Sequence, residues 1–572
     1  MSRVRRLGAV AFIAALALRS SATPAEPIAA GDPLFRDVTR RSGIDFESGF
    51  LDVEGFAFVD LMARSSAAAG DYDGDGDVDL FIVRGDIGPN LLYRNDGRLR
   101  FTEVAAAAGL AYTRAAGLNY RHAGATFADI DGDGDLDLFL GGLQGDPSLL
   151  FRNNGDGTFD DVTARSGLDT MNAEQTFSAA FGDYDLDGDL DMALAHWGTW
   201  RGAGVAYGPA VRRDPDRPPE TEHLWRNDSS AERIRYTKVS VAAGISPSIL
   251  TLPDPEEPFA EGHQSRERDW TFTPTFARID ADRYPDLLFV ADFNRSQAFL
   301  NNGDGTFRNV TDTGVMIDDH GMGSAVADFD ADGDLDWFVS SVYYGGEGET
   351  PDPFRGNRLY RNDGGTFVDA TDQAGVVDGG WGWAACAIDF ENDGDLDIYH
   401  TNGWVGLGST VEADYTADRS RAFVNAGDGT FTDRAGPLGL DDAEFGRAAV
   451  CADFDNDGDV DILLLHEGAT LWENESRGAN FLRVQLRGLP PNTEAVGARI
   501  TVTTTGAGDT RVRMRELTLG SNYLSQNPLV QVFGLGGQTE CDVEVEWPDG
   551  RRTRLAQVAA GETLLVTHPA LP

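Results

Sequence analysis

A nine-residue acidic box, repeated along the chain, constrains this fold more than any other feature. DYDGDGDVD begins at Asp71, DIDGDGDLD at Asp129, DYDLDGDLD at Asp183, DFDADGDLD at Asp328, DFENDGDLD at Asp389 and DFDNDGDVD at Asp453. A degenerate copy, RIDADRYPD, begins at Arg278. Successive starts lie 50 to 64 residues apart, apart from a 95-residue gap before the degenerate copy. Self-similarity at a fixed period marks repeated supersecondary units. Each box follows a short run of small apolar residues (GSAVADFD) and precedes a strand-like run (LFIV, ILLL). A second signature follows, as in SLLFRNNGDGTFDDVTARSGL: strand, Asn/Asp-Gly turn, strand, small-residue loop. Each repeat therefore reads as four antiparallel strands, a to d, with the box between a and b. The predicted fold is all-β, a seven-bladed β-propeller over residues 34–475. The seventh repeat has no fourth strand of its own. The segment LFRDVTRRSGI (34–44) is expected to supply it and so remove an open sheet edge.

Within a box, positions 1, 3, 5 and 9 offer side-chain oxygens and position 7 a carbonyl. Glycine at position 6 permits the sharp turn. Hard oxygen donors in a flexible loop suit Ca²⁺. Zn²⁺ would want His or Cys, which no box contains. The EF-hand alternative needs Glu at position 12. That place holds Ile82, Leu140, Leu194, Val339, His400 or Leu464. The expected metal residues are Asp71, Asp73, Asp75, Asp77 and Asp79; Asp129, Asp131, Asp133, Asp135 and Asp137; Asp183, Asp185, Asp187, Asp189 and Asp191; Asp328, Asp330, Asp332, Asp334 and Asp336; Asp389, Glu391, Asp393, Asp395 and Asp397; and Asp453, Asp455, Asp457, Asp459 and Asp461. About six calcium sites follow. The box 278–286, with Arg278 and Arg283 in place of Asp and Gly, is expected to be empty or weak, with the Arg278 guanidinium in the cation's place.

Charge and targeting narrow the class. The formal charge of −47 argues against nucleic acid as a partner. Arg3, Arg5 and Arg6 precede the apolar run 7–18 and then small residues, so residues 1–25 read as a signal peptide cleaved near Ala22 or Ala25. The mature chain is expected to be secreted, extracellular or periplasmic, without a transmembrane segment, and monomeric. Cys386, Cys451 and Cys541 form an odd set and read as small buried hydrophobes.

From about Arg477 the boxes stop, and alternating apolar residues with Gly and Pro turns predict a small all-β domain over 477–570. The boxes and the NGDGTF hairpins resemble the Ca²⁺-binding FG-GAP/VCBS repeats of integrin-α-like propellers. The C-terminal landmarks Gly497-Ala498-Arg499, Ser525-Gln526, Phe533-Gly534-Leu535-Gly536 and Trp547-Pro548-Asp549-Gly550-Arg551 resemble the ASPIC/UnbV domain. The whole is similar to the cartilage acidic protein and UnbV family. That resemblance implies secretion and calcium binding, and no established reaction. Arg511, Arg513, Arg515, Arg551, Arg552 and Arg554 suggest that the C-terminal domain docks on the acidic propeller.

Strand parity puts boxes and c–d turns on one face and the b–c and d–a loops on the other. The long insertions 198–223, 343–357 and 403–420 (b–c) and 246–270 (d–a) then share the face opposite the boxes. Long loops on a rigid scaffold are where binding usually resides. Candidate ligand-face residues are His196, Trp197, Trp200, Tyr207, Arg212, Arg213, Tyr343, Tyr344, His400 and Trp404. The expected function is adhesion or recognition of an extracellular protein or glycan, with structural calcium. The alternative is an enzyme of secondary metabolism or polysaccharide processing, with a site lined by His and Asp. For that, His122, His196, His320, His400 and His466 would have to converge. Otherwise they are separate hydrogen-bonded histidines, and the aromatic residues pack the insertions against one another.

Overall fold

The structure, a computed structural model, describes residues 33–571 except 52–56, 115–116, 172–174, 198, 201–206, 209–220, 230–232, 252–268, 345–353, 405–414, 477, 507–508 and 521. The stretch read as a signal peptide, most of the insertions, Arg212 and Arg213 lie outside the described residues. Among the described residues, no helix is long and apolar enough to cross a membrane.

Seven four-stranded antiparallel sheets follow the repeats in order. The first comprises Ser66–Gly70, Asp79–Val83, Leu91–Asn95 and Phe101–Glu103. The seventh comprises Ala448–Ala452, Asp461–Leu465, Ala469–Asn474 and Phe35–Asp37. Phe35–Asp37 pairs antiparallel with the last of these strands, Phe35 opposite Asn474, so the N-terminal segment supplies the missing strand and closes the ring. Apolar clusters fill the wedges between blades. Phe81 and Leu92 of blade 1 meet Phe127 and Leu138 of blade 2, for example.

One local reading changes. The small-residue stretch after strand d is a single helical turn, as at Ala105–Ala108 and Thr371–Ala374. A left-handed glycine ends each, Gly109 and Gly375 here. Four residues are too few to show helical periodicity, but the glycine after them was the stop signal.

The C-terminal domain has a four-stranded sheet (Asp509–Glu516, Arg499–Gly506, Glu540–Glu546, Arg552–Ala559) and a three-stranded one (Gln531–Gly536, Asn480–Arg487, Thr563–Thr567). Their inner faces enclose Leu482, Ile500, Phe533, Val543 and Trp547. Between the sheets a tongue, residues 517–528, runs into the middle of the ring. Leu519–Gly520 pairs with strand a of blade 3, and Ser525–Gln526 pairs parallel with strand a of blade 1. Gln526 holds both backbone groups of Phe127 in blade 2, at 2.7 and 2.9 Å. The Ser324 and Ala385 N–H groups of blades 5 and 6 donate to Asn522 O, and the Ala449 N–H of blade 7 donates to Ser525 Oγ. Tyr523 packs edge-on to Phe272 of blade 4. Inner strands of a closed ring have no further strand to pair with, and buried backbone groups need partners. The tongue provides them for the central channel, and the alanines of strands a leave it room.

Candidate functional site

Each box lies beside its own c–d turn, as parity required: the Gly364 N–H donates to Asp334 Oδ2 at 2.8 Å. The position-6 glycine has φ between 93° and 101° in all six intact boxes, a conformation that L side chains rarely adopt. That turn points the glycine N–H back to the first Asp at 2.9–3.2 Å in each. In the degenerate box Arg283 stands at this place without positive φ.

In five boxes three carboxylates converge, with one oxygen from each within 4.8 Å of the others. The triads are Asp71–Asp73–Asp79, Asp129–Asp131–Asp137, Asp183–Asp185–Asp191, Asp328–Asp330–Asp332 and Asp453–Asp455–Asp457. Positions 1 and 3 join every triad, position 9 joins in blades 1 to 3 and position 5 in blades 5 and 7. Buried oxygens without a hydrogen-bond partner sit in four of them: Asp131 Oδ1, Asp183 and Asp185 Oδ1, Asp330 Oδ1 and Asp455 Oδ1. Burial pushes Asp79 up to about 8, and Asp183 and Asp328 up to about 7. Grouped, buried carboxylates must share protons or a cation. The all-oxygen donor set fits calcium or another hard divalent ion.

The ninth residue has a second task that the sequence reading missed. Asp79 Oδ2 accepts the Tyr72 N–H at 3.1 Å, and its Oδ1 accepts the Asn95 N–H of strand c at 2.7 Å. Asn95 Nδ2 then donates to Phe454 O in blade 7 at 2.8 Å. The same Asp–Asn clasp recurs in every blade. Asp286, Asn301 and Tyr184 O form it in blade 4, and Asn474 reaches Phe390 O from blade 7. Each clasp links a blade to the one before it, and the seven links close the circle. The signal was legible: an Asn ends strand c in every repeat, and position 9 is Asp even in the degenerate box.

The C-terminal domain sits against the box face and, among the described residues, makes polar contacts with the boxes of blades 2, 4, 6 and 7. In blade 4, Arg278 Nη2 pairs with Glu546 at 2.7 Å, and the Arg278 N–H donates to Glu516 Oε1 at 2.9 Å. Arg278 Nε reaches Asp282 O within its own loop at 3.2 Å, so the guanidinium is shared between loop and domain. In blade 7, Arg483 Nε lies 2.9 Å from Asp453 Oδ2. In blade 6, Arg513 pairs with Asp395 and donates to Gly394 O, while half-buried Arg515 faces Asp389. Among the described residues, Asp389, Glu391, Asp393 and Asp397 form no converging triad. Three of the six expected docking arginines, Arg511, Arg513 and Arg515, face the propeller. Arg552 and Arg554 pair within their own domain with Glu544, and Arg551 with Asp549.

On the opposite face the histidines do not converge. His196 and His223 have ring centroids 5.1 Å apart, and His223 Nε2 is 2.9 Å from Asp269, all fully buried. His400 meets Asn357 at 3.1 Å, His320 meets Asp292 at 2.8 Å, His122 meets Pro147 O and His466 meets Thr470. Among the described residues, no group of three metal-binding side chains includes a histidine. Trp197 and Trp404 are 3% and 1% exposed. Trp197 stacks on Phe272 at 5.6 Å, and Trp404 on Trp381 at 4.8 Å. These rings pack the blade mouths together. Tyr343 and Tyr344 remain partly exposed. Trp200 and Tyr207 pair as strand residues, and their side chains are outside the described set. The two cysteines of strands a become neighbours: both Cys386 Sγ and the Cys451 N–H lie against Asn527 Oδ1 of the tongue.

Comparison with known proteins matches these features. An FG-GAP-like repeat model matches residues 71–140, 129–194, 278–339, 342–400 and 410–464, and the ASPIC and UnbV model matches residues 488–571. Mouse cartilage acidic protein 1 is 26% identical over 526 residues, covering 85% of this chain and 70% of that protein. The human protein is 26% identical over 532 residues, covering 86% and 70%. Among solved structures, a rhamnogalacturonan lyase from Bacillus licheniformis covers 92% of this chain and 91% of its own at 13% identity, with a TM-score of 0.32, too distant to bear on the site. The chain belongs to the FG-GAP-like repeat proteins and carries an ASPIC and UnbV domain at its C-terminal end.

Proposed function

We propose that the protein is an exported, calcium-braced recognition module for an extracellular protein or glycan. The observation behind this reading is the set of five carboxylate triads on one rim of the ring. Asp71, Asp129, Asp183, Asp328 and Asp453, with their triad partners, would hold the ions. Bound calcium would supply the positive charge that the triads lack and tie strands a and b together. Blade 6 offers Arg513 and Arg515 instead, and blade 4 carries Arg278, so five ions per chain replace the six expected from boxes alone. With the rim occupied by cations and the C-terminal domain, and the channel filled by the tongue, a ligand is expected on the opposite face, beside Tyr343 and Tyr344. The separate, internally bonded histidines favour recognition over catalysis. Screening the secreted protein on glycan and protein arrays, with calcium and with EDTA, tests the reading. Calcium-dependent capture supports it, and turnover of a glycan without retention contradicts it.

A further inference from the structure

On the face opposite the boxes, aromatic rings of blades 3 to 6 form an unbroken chain. Ring centroids lie 5.3 Å apart from Trp197 to Trp270, 4.7 Å from Trp270 to Phe293 and 5.6 Å from Phe293 to His320. The chain continues at 5.3 Å from His320 to Phe354, 6.3 Å from Phe354 to Trp381 and 4.8 Å from Trp381 to Trp404. It has two levels. Trp197, Trp270 and Trp404 are at most 4% exposed and form a floor. Phe293, His320, Phe354 and Trp381 are half-buried and form a rim. The Tyr344 N–H donates to Phe354 O at 3.2 Å, which joins that partly exposed tyrosine to the rim.

Packing explains the floor but not the backbone at Phe293. Phe293 has φ 57° and Asn294 φ 59°, a left-handed conformation that a bulky side chain adopts only under constraint. Asp292 supplies the constraint. Its Oδ1 accepts the Phe293 N–H at 3.0 Å and lies 2.8 Å from His320 Nδ1, and its Oδ2 accepts Trp197 Nε1–H at 3.1 Å. The strained turn thus holds the Phe293 ring in a fixed place on the rim. Asp319 is engaged as well, by the Arg355 N–H at 3.1 Å and by Arg355 Nη1 at 3.6 Å. With Asp292 and Asp319 both committed, the rim has little to offer a basic peptide. The formal charge of −47 repels acidic glycans. A row of rigid, half-exposed rings fits the apolar C–H face of a neutral sugar, and the Arg355 side chain, 48% exposed, stands beside it to bond hydroxyls.

We propose that Phe293, Phe354 and Trp381 form a stacking platform for a neutral, unsulfated glycan. This rests on the recognition reading above and names its ligand. Calorimetric titration of the calcium-loaded full mature chain with neutral hexasaccharides tests it, using β-1,3-glucan, β-1,4-glucan, β-1,4-mannan and chitin fragments. At least one should bind, and Phe293→Gly and Phe354→Ala should each weaken it at least about tenfold. Phe293→Gly is the sharper probe, because glycine takes φ 57° without strain and the variant should keep the wild-type circular dichroism and calcium content while losing the ring. Unchanged affinity in both variants would overturn the platform, and so would tighter binding of heparin or polygalacturonate than of any neutral sugar. Capture of a protein or a proline-rich peptide, with no neutral sugar bound, would sink the platform and leave the recognition reading standing. Capture of nothing would fail both.

Discussion

The loops of blades 2 and 4 occupy equivalent places in the ring and meet the same domain, yet they are built oppositely. Blade 2 keeps five Asp, a left-handed glycine and a converging triad. Blade 4 has lost its first Asp and its glycine, and Arg278 joins Glu546 and Glu516 across the domain boundary. Both loops keep the ninth Asp, with both of its oxygens bonded to backbone N–H groups. On the proposed reading two functions are superposed in the box: a clasp that every blade shows and a cation site that a blade can lose. In blade 4, where the first Asp is replaced, an ion pair between Arg278 and Glu546 of the C-terminal domain stands in that place.

The largest expected effect comes from removing the ions. A ligand at a thousandfold excess over its Kd stabilises the folded state by roughly 4 kcal/mol per site, so EDTA should lower the thermal midpoint by well over 10 °C. An unchanged melting curve would mean that the triads are acidic turns without a cation. Next, Asp286→Ala should cost about 3 kcal/mol in chemical denaturation, because it leaves two buried N–H groups unsatisfied. Asp280→Asn in the same loop should stay within about 0.5 kcal/mol, as expected of a surface change. Equal losses would break the separation of clasp from cation site. Arg278→Ala should cost about 1.5 kcal/mol by removing the ion pair to Glu546, which keeps Arg552, and the loss should be the same with and without calcium.

The pH response sharpens the comparison further. In metal-free protein, burial holds Asp79 and Asp336 up at about 8 and Asp183 and Asp328 at about 7, against about 4 in an unfolded chain. Their protonation favours the folded state, so this stability is full below about pH 4 and is lost as pH rises through 7 to 8. Chelated protein should therefore melt higher at pH 6 than at pH 8. Calcium-loaded protein should do the reverse, because protons compete with the ion for the same oxygens. Parallel pH profiles for the two forms would contradict the assignment.

Much of this was legible in the chain. The 50–64 residue period, the box and the orphan strand at residues 34–37 carry the ring and its closure, because blades repeat their hydrogen-bonding pattern in sequence. The tongue was not legible. Leu517–Gln526 has the composition of an ordinary β-domain loop, and only the ring supplies the inner strands of blades 1, 2, 3, 5, 6 and 7 that it hydrogen-bonds. The clasp left a signal in the Asn that ends each strand c, but its partner lies in the neighbouring blade, beyond any local pattern. On the insertion face Tyr343 and Tyr344 stay partly exposed, whereas Trp197 and Trp404 take the packing alternative. Trp197 and Trp404 stack on neighbours that the sequence does not reveal as neighbours. The cationic contact to the blade 6 box was hidden for the same reason, since Arg513 lies 118 residues from Asp395.

Counting the metal is the most direct test. After dialysis of the mature protein against millimolar Ca²⁺ and brief removal of free ion, elemental analysis should return close to five calcium ions per chain, and Asp131→Asn should return close to four. A wild-type ratio near zero would contradict a calcium-braced ring.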